Sequence, residues 1–253
     1  MNWIGIWTLL RREIERFIAV YRQTILPGMI SSGLYILVFG FTLERRINTI
    51  EDVPYTLFII PGLIMMNTLT NATANTSSSM LQMKLLQQLP DILIAPLSSF
   101  EISVAFILGG TVRGVVNGVL VLLLGVLLTG MSVVDPIGTV LFLVVVSFAF
   151  ASIGLLLGQL ADNWDQLSML QNFFLTPLSF LGGIFYSIKM LPDWAQSLSF
   201  FNPVYYMING VRYTVLGVSD SSPGFSIFMA IVMGIGFTIA AVLLMKSGKK
   251  IKQ

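Results

Sequence analysis

The chain has 253 residues, 55% of them hydrophobic and only 10% charged, where a soluble domain carries about a quarter charged. Its net charge of +2 is too small to mark a nucleic-acid partner, and with no cysteine and no histidine it lacks disulfides, thiolate metal ligands and an imidazole general base. The apolar residues arrive in long unbroken runs, which suit a hydrocarbon solvent that takes roughly 20 apolar residues to cross.

The N-terminal stretch, residues 1–23, reads as an interfacial helix over about Trp3–Gln23. Trp7, Leu10, Ile14, Phe17 and Tyr21 recur at spacings of three and four and share one face, while Arg11, Arg12, Glu15, Arg16 and Arg22 fall largely on the others. The same charges, with Glu13, interrupt the apolar region a signal peptide requires, so no cleavable signal peptide is expected.

Six runs then qualify as spans: Thr24–Leu43, Tyr55–Ser79, Ile102–Thr129, Pro136–Leu160, Leu167–Ser187 and Phe225–Met245. A run of about 21 residues reaches roughly 31 Å, enough for the bilayer core. If both termini are cytoplasmic, that side holds nine basic residues (Arg11, Arg12, Arg16, Arg22, Lys84, Lys246, Lys249, Lys250 and Lys252). The opposite side holds four, Arg45, Arg46, Lys189 and Arg212, so the positive-inside rule favours this orientation and an even number of spans. The whole chain, 1–253, reads as one all-α membrane domain.

Two connections are too long to be plain loops. Between the second and third runs, Pro90 and Pro96 bracket Asp91–Ala95, about one helical turn carrying Ile92, Leu93 and Ile94. Its apolar surface needs covering, by lipid headgroups or by a docked soluble partner. Between the fifth and sixth runs, Pro192–Phe201 and Val204–Gly217 are each too short to span and are broken at Asn202 and Pro203. Segments of that length are re-entrant or lie flat on the leaflet.

Within the spans, Arg113 is the one charge well inside a run, with Asn117 a turn beyond. An intramembrane charge is either functional or paired within the protein. Asn67, Asn71 and Asn75, with Thr68, Thr73 and Thr76, make a polar seam that would be wasted on lipid, either pathway-lining or buried structure. Gly110, Gly114 and Gly118, and Gly154 and Gly158, recur every four residues for close helix packing, within one chain or across a dimer.

No G-x-x-x-x-G-K-[ST] loop is present and no two carboxylates lie within the spans, so neither ATP hydrolysis nor intramembrane hydrolysis by this chain is expected. A secondary transporter or channel with ion or proton coupling calls for intramembrane carboxylates, and the spans hold none.

Three stretches carry a family resemblance: FIIPGLIMMN at Phe58–Asn67, ILIAPLSSFEI at Ile92–Ile102, and the long run Phe173–Gly217 with its TPL-x-x-LGG-x-FY-S, LP and NP elements. They resemble the membrane subunits of ABC-2 type exporters, the bacterial drug and polysaccharide export group. The resemblance implies a non-enzymatic permease in the bacterial inner membrane, a homodimer of six-span subunits working with two copies of a separate ATPase subunit. That partner holds the ATP and Mg, and the cargo is an amphiphile: a lipid, a lipid-linked glycan or a hydrophobic drug. It also implies that Leu89, Asp91, Ile92, Leu93 and Ile94 belong to a coupling helix, with Pro90 standing where family members often carry an acidic residue. Pro192, Trp194, Asn202 and Pro203 would then mark re-entrant gate helices. Arg113, Asn117, Asn67, Asn71 and Asn75 remain the pathway or buried polar set.

Overall fold

The structure, a computed structural model, describes residues 1–44 and 49–248. Arg45, Arg46, Lys249, Lys250 and Lys252, counted above for orientation, lie outside the described residues, as does the side chain of Leu93.

Helix α1 (Trp3–Ala19) starts where the Asn2 side chain accepts the Gly5 N–H, leaving one fewer orphan donor in its first turn. Helices α2 (Tyr21–Thr24) and α3 (Leu26–Tyr35), a π-helical turn (Ile36–Gly40) and α4 (Phe41–Leu43) continue the path. A two-residue hairpin pairs Thr49–Ile50 with Val53–Pro54, its turn made by Glu51 and Asp52 at positive φ (52° and 62°). Then come α5 (Tyr55–Leu85), the short α6 (Leu89–Ile94), α7 (Ser99–Thr129), α8 (Pro136–Leu160) and α9 (Trp164–Leu181). A 3₁₀ turn, α10 (Asp193–Phe200), α11 (Pro203–Leu216) and α12 (Pro223–Ser247) complete the described chain.

Among the described residues, five helical stretches are long and apolar enough to cross a membrane: Tyr21–Gly40, Tyr55–Leu85, Ser99–Thr129, Pro136–Leu160 and Pro223–Ser247. The expected fifth run, Leu167–Ser187, differs. Its helix begins earlier, at Asn163, whose side chain caps the Gln166 N–H, and stops at Leu181, where Gly182 and Gly183 turn the backbone and Gly183 takes φ 81°. Asp165, Gln166, Gln171 and Asn172 make it more polar than the other five. It nonetheless carries the chain from the end of the bundle marked by Lys84 to the end marked by Gly62, whose Cα faces the Ile184 backbone.

Helix α5 is the central post, buried along most of its length between α7 and α8. The glycine faces meet within this one chain. A Cβ on Gly158 of α8 would stand 2.6 Å from the Ser77 carbonyl oxygen of α5, so only glycine permits that approach. Gly110 and Gly114 of α7 sit equally tightly on Ala72 and Thr76 of α5 and on α8, and Gly118 packs against Thr68.

The start of α1 and the end of α12 lie at the same end of the bundle as α6. The Asn2 N–H reaches Glu101 Oε1 at the start of α7, and Gln159 near the end of α8 donates to Ala241 O near the end of α12 (3.2 Å). Lys84 joins them by donating to Gln159 O and Ala161 O at 2.9 and 2.7 Å, where the carbonyls of α8 run out of helical partners.

Helix α1 buries Ile6, Leu9, Glu13 and Phe17 against the bundle, while Trp7 and Tyr21 of the expected apolar face are exposed, as a face turned to acyl chains is. One sequence expectation changes. Arg212, counted with the surface charges, is 1% exposed: its guanidinium lies 4.0 Å from the centre of the Phe58 ring and donates to Gly183 O at 2.9 Å.

Candidate functional site

Helix α6 is presented as a surface ridge. Leu89 is buried and anchors it, Ile92 is half-buried, and Asp91 and Ile94 are exposed, Ile94 at 84%. Pro90 in its first turn lacks a donor the turn would leave unpaired, and Ala95 ends it by going extended. The ridge is braced by its neighbours. Ser98 and Glu101 form a capping box on α7, the same Glu101 takes the Asn2 N–H, and Asn2 Nδ2 points at Pro96 O. Between α1 and α6 lies a groove of about 370 Å³ lined by Gly5, Thr8, Arg12, Asp91 and Ile92. Helix α6, the start of α1 and the start of α7 therefore form one stiff surface, with Arg12 and Asp91 its opposite charges.

Behind it, the polar stripe of α5 repeats every four residues and each member meets a different neighbour. Asn67 Nδ2 donates to Ser32 Oγ (2.6 Å), and Asn71 Oδ1 accepts from Arg113 Nε and Nη2 (3.2 and 3.0 Å). Arg16 Nη2 donates to Asn75 O and Oδ1 (2.8 and 3.1 Å), and Ser79 Oγ donates to the fully buried Glu13 (2.8 Å). Asn117 donates to the Arg113 carbonyl within its own helix. The predicted polar residues are thus inside the bundle and bonded to partners on neighbouring helices or within their own, joining α1, α3 and α7 to α5.

An open polar groove of about 230 Å³ lies on the other side of α5, between α3 and α9. Thr70, Gln171, Asn172 and Thr176 line it, with Tyr35 and Phe180. Gln171 Nε2 bridges to Ser77 Oγ at 2.6 Å, and Phe173, Phe174 and Phe180 of α9 stay exposed.

At the end away from α6, α10 and α11 form a V whose tip is Asn202 and Pro203. Because α9 closes with the Gly182 N–H turned to Ser179 O, the Leu178 carbonyl loses its helical donor, and Asn202 Nδ2 takes its place at 2.6 Å. Trp194 is exposed and Pro192 precedes α10 as its cap. Beside the V, Lys189 Nζ lies 2.7 Å from Glu51 Oε1 and 2.6 Å from Asp220 Oδ1, and Ser187 Oγ sits within 3.3 Å of both carboxylates. Hydrogen bonds to Asp220 and then Glu51 raise the Lys189 ammonium above its ordinary value. Burial works against the Asp220 carboxylate, but its contacts with Glu51 and Lys189 hold it below the usual range.

Residues 5–216 match the model of the ABC-2 type transporter family. The chain belongs to the ABC-2 type transporter family. The inner membrane transport permease YadH of Escherichia coli K12 is 34% identical over 252 residues, 100% of this chain and 98% of that one. Nodulation protein J of Sinorhizobium fredii is 24% identical over 216 residues, 85% of this chain and 81% of that one. Nodulation protein J of Rhizobium leguminosarum bv. viciae is 23% identical over 218 residues, covering 86% and 83%.

This ABC-2 type protein is accordingly a membrane transport permease, and the sequence indicates no catalytic activity of its own. Sequence reading saw Glu13, Arg16, Lys189 and Arg212 only as interfacial or orientation charges and missed their pairings, including the Glu51–Lys189–Asp220 cluster. The seam had a usable signal, since Asn67, Asn71, Asn75 and Ser79 fall on one helical line that needs partners. The cluster had none, because its three members are 138 and 31 residues apart along the chain.

Proposed function

We propose that the chain is the permease subunit of an ABC exporter in a bacterial inner membrane, moving an amphiphile with ATP hydrolysed by a separate subunit. Counting α9 as the fifth, six helices carry the chain across, with both termini and α6 on the cytoplasmic side. Two copies of the permease work with two ATPase subunits, which hold the ATP and Mg. Substrates of the expected class are lipids, lipid-linked glycans and hydrophobic drugs.

The observation that carries this reading is the braced ridge of α6. A short helix with an 84%-exposed isoleucine, followed directly by the Pro96–Ser98 segment that Asn2 and Glu101 bond to α1 and α7, suits a lever that a soluble partner pushes. Leu89 seats it, Asp91, Ile92 and Ile94 offer contact, and Leu93 belongs to the same turn. ATP binding by the partner shifts the bundle only in so far as the partner binds one arrangement more tightly. The polar groove between α3 and α9 is the pathway wall in this reading, closed by the second copy. The Asn202–Pro203 tip with Pro192 and Trp194 serves as the outer gate, and the seam of Asn67, Asn71, Asn75, Arg113 and Asn117 is the rigid frame between lever and gate.

Affinity purification from native membranes tests it. A stoichiometric ATPase in the eluate supports the exporter, and a permease recovered alone from membranes that also contain the ATPase contradicts it in favour of a secondary transporter or channel.

A further inference from the structure

Helices α8, α11 and α12 leave a groove of about 330 Å³ at the end of the bundle away from α6. Its wall is apolar: Leu141, Phe142, Val145 and Ile227 line it, and Leu141 is 62% exposed, so the groove opens sideways. Two glycines make the room. Gly138 contributes no side chain from α8, and Gly210 of α11 lets the Phe142 ring lie back where a Cβ would stand.

The mouth is polar and open, with Asp135 and Tyr213 both exposed. Asp135 caps α8, its Oδ1 accepting the Gly138 N–H at 2.8 Å, and among the described residues no cation stands within ion-pair distance of its carboxylate. The Tyr213 hydroxyl, half-exposed beside it, makes no hydrogen bond among the described residues. The nearby Thr139 and Thr214 hydroxyls are taken up by each other at 3.0 Å.

In a membrane-crossing protein such a slot faces acyl chains, and its mouth lies where the chain leaves the helices, at headgroup depth. A carboxylate there, with no cation beside it among the described residues, repels anionic headgroups and attracts an ammonium at a dielectric lower than that of water. A tyrosine hydroxyl at the same depth can donate to a phosphate oxygen. We propose that this groove is a binding site for a phospholipid with a primary ammonium headgroup, phosphatidylethanolamine. One acyl chain fills the slot, the ammonium pairs with Asp135, and the phosphate accepts from Tyr213.

The test is native mass spectrometry of the purified full chain exposed to phosphatidylethanolamine and to phosphatidylglycerol of the same acyl chains. The expected result is a roughly fivefold preference for phosphatidylethanolamine, the scale of one charge pair at the interface. Asp135→Asn keeps a good helix cap, so the fold is retained while the preference is lost. Leu141→Trp, which fills the slot from an exposed position, lowers retention of both lipids. An unchanged preference in Asp135→Asn, with an unchanged unfolding midpoint confirming the fold, overturns the headgroup assignment. Undiminished lipid retention in Leu141→Trp shows adventitious lipid and overturns the site.

Discussion

Arg113 gives two N–H groups to a single acceptor, the Oδ1 of Asn71, at 3.2 and 3.0 Å across the α5–α7 contact. Both residues are largely buried, so the guanidinium has exchanged its water for one amide oxygen and the polar seam around it. Removing the acceptor leaves a buried cation short of partners, whereas removing the cation also removes its desolvation cost. Asn71→Ala is therefore expected to destabilise the protein by about 2–3 kcal/mol, and Arg113→Met by less. Thermal unfolding in detergent orders the two variants. The reverse order contradicts the reading of Arg113 as a paired structural charge.

The approach of α8 to α5 makes a second prediction. Gly158→Leu has no space, because even a Cβ would crowd the Ser77 carbonyl, and a cost of about 1–3 kcal/mol or more is expected. Gly236→Ala on α12 meets nothing within 4 Å and should be neutral or stabilising by up to about 1 kcal/mol, since alanine is the better helix former. Unfolding midpoints measured side by side distinguish them.

The far-end cluster predicts a pH dependence with two different limbs. Lys189 is raised in the folded state, so its contribution is fully present below its ordinary 10.5 and is lost as pH rises through the raised value. Asp220 is depressed, so its contribution is present above its ordinary 3.8 and is lost as pH falls through the lowered value. Lys189→Met should flatten the alkaline limb of the midpoint against pH, and Asp220→Asn the acid limb. Because Lys189 is well exposed, the effects are read as changes of slope and small in size.

The polar groove gives a fourth. Gln171→Leu removes both the bridge to Ser77 and part of the polar wall. Transport of amphiphile in proteoliposomes reconstituted with the ATPase should fall several-fold, about what one lost hydrogen bond at a pathway is worth, while basal ATPase activity is retained. Unaltered transport removes this groove from the pathway.

Most of the architecture was legible because lipid imposes length and composition on each crossing helix. Pro136–Leu160 matches the expected run residue for residue, and the short α6 and the α10–α11 break follow from Pro90, Pro96, Asn202 and Pro203. What failed has a common cause. Hydropathy measures how apolar a stretch is and not what it meets, so it does not reveal the inward stripe of α1 that buries Glu13, and it counts Arg212 outside when Phe58 and Gly183 hold it within. The fifth helix was misjudged at both ends because a cap at Asn163 and the turn at Gly182–Gly183 set its limits. Of the candidate site, the polar residues were found by type, but their pairing rests on which helices pack together, which no local pattern reveals.

Transmission of work by α6 between a partner ATPase and this bundle is tested by the Asp91→Ala, Ile92→Ala double variant, assayed with the ATPase in proteoliposomes; Asp91 is exposed and Ile92 only half-buried at the edge of the core. Transport and substrate-stimulated ATPase activity are expected to fall together while the unfolding midpoint shifts little. Full transport with normal stimulation in that variant would contradict it.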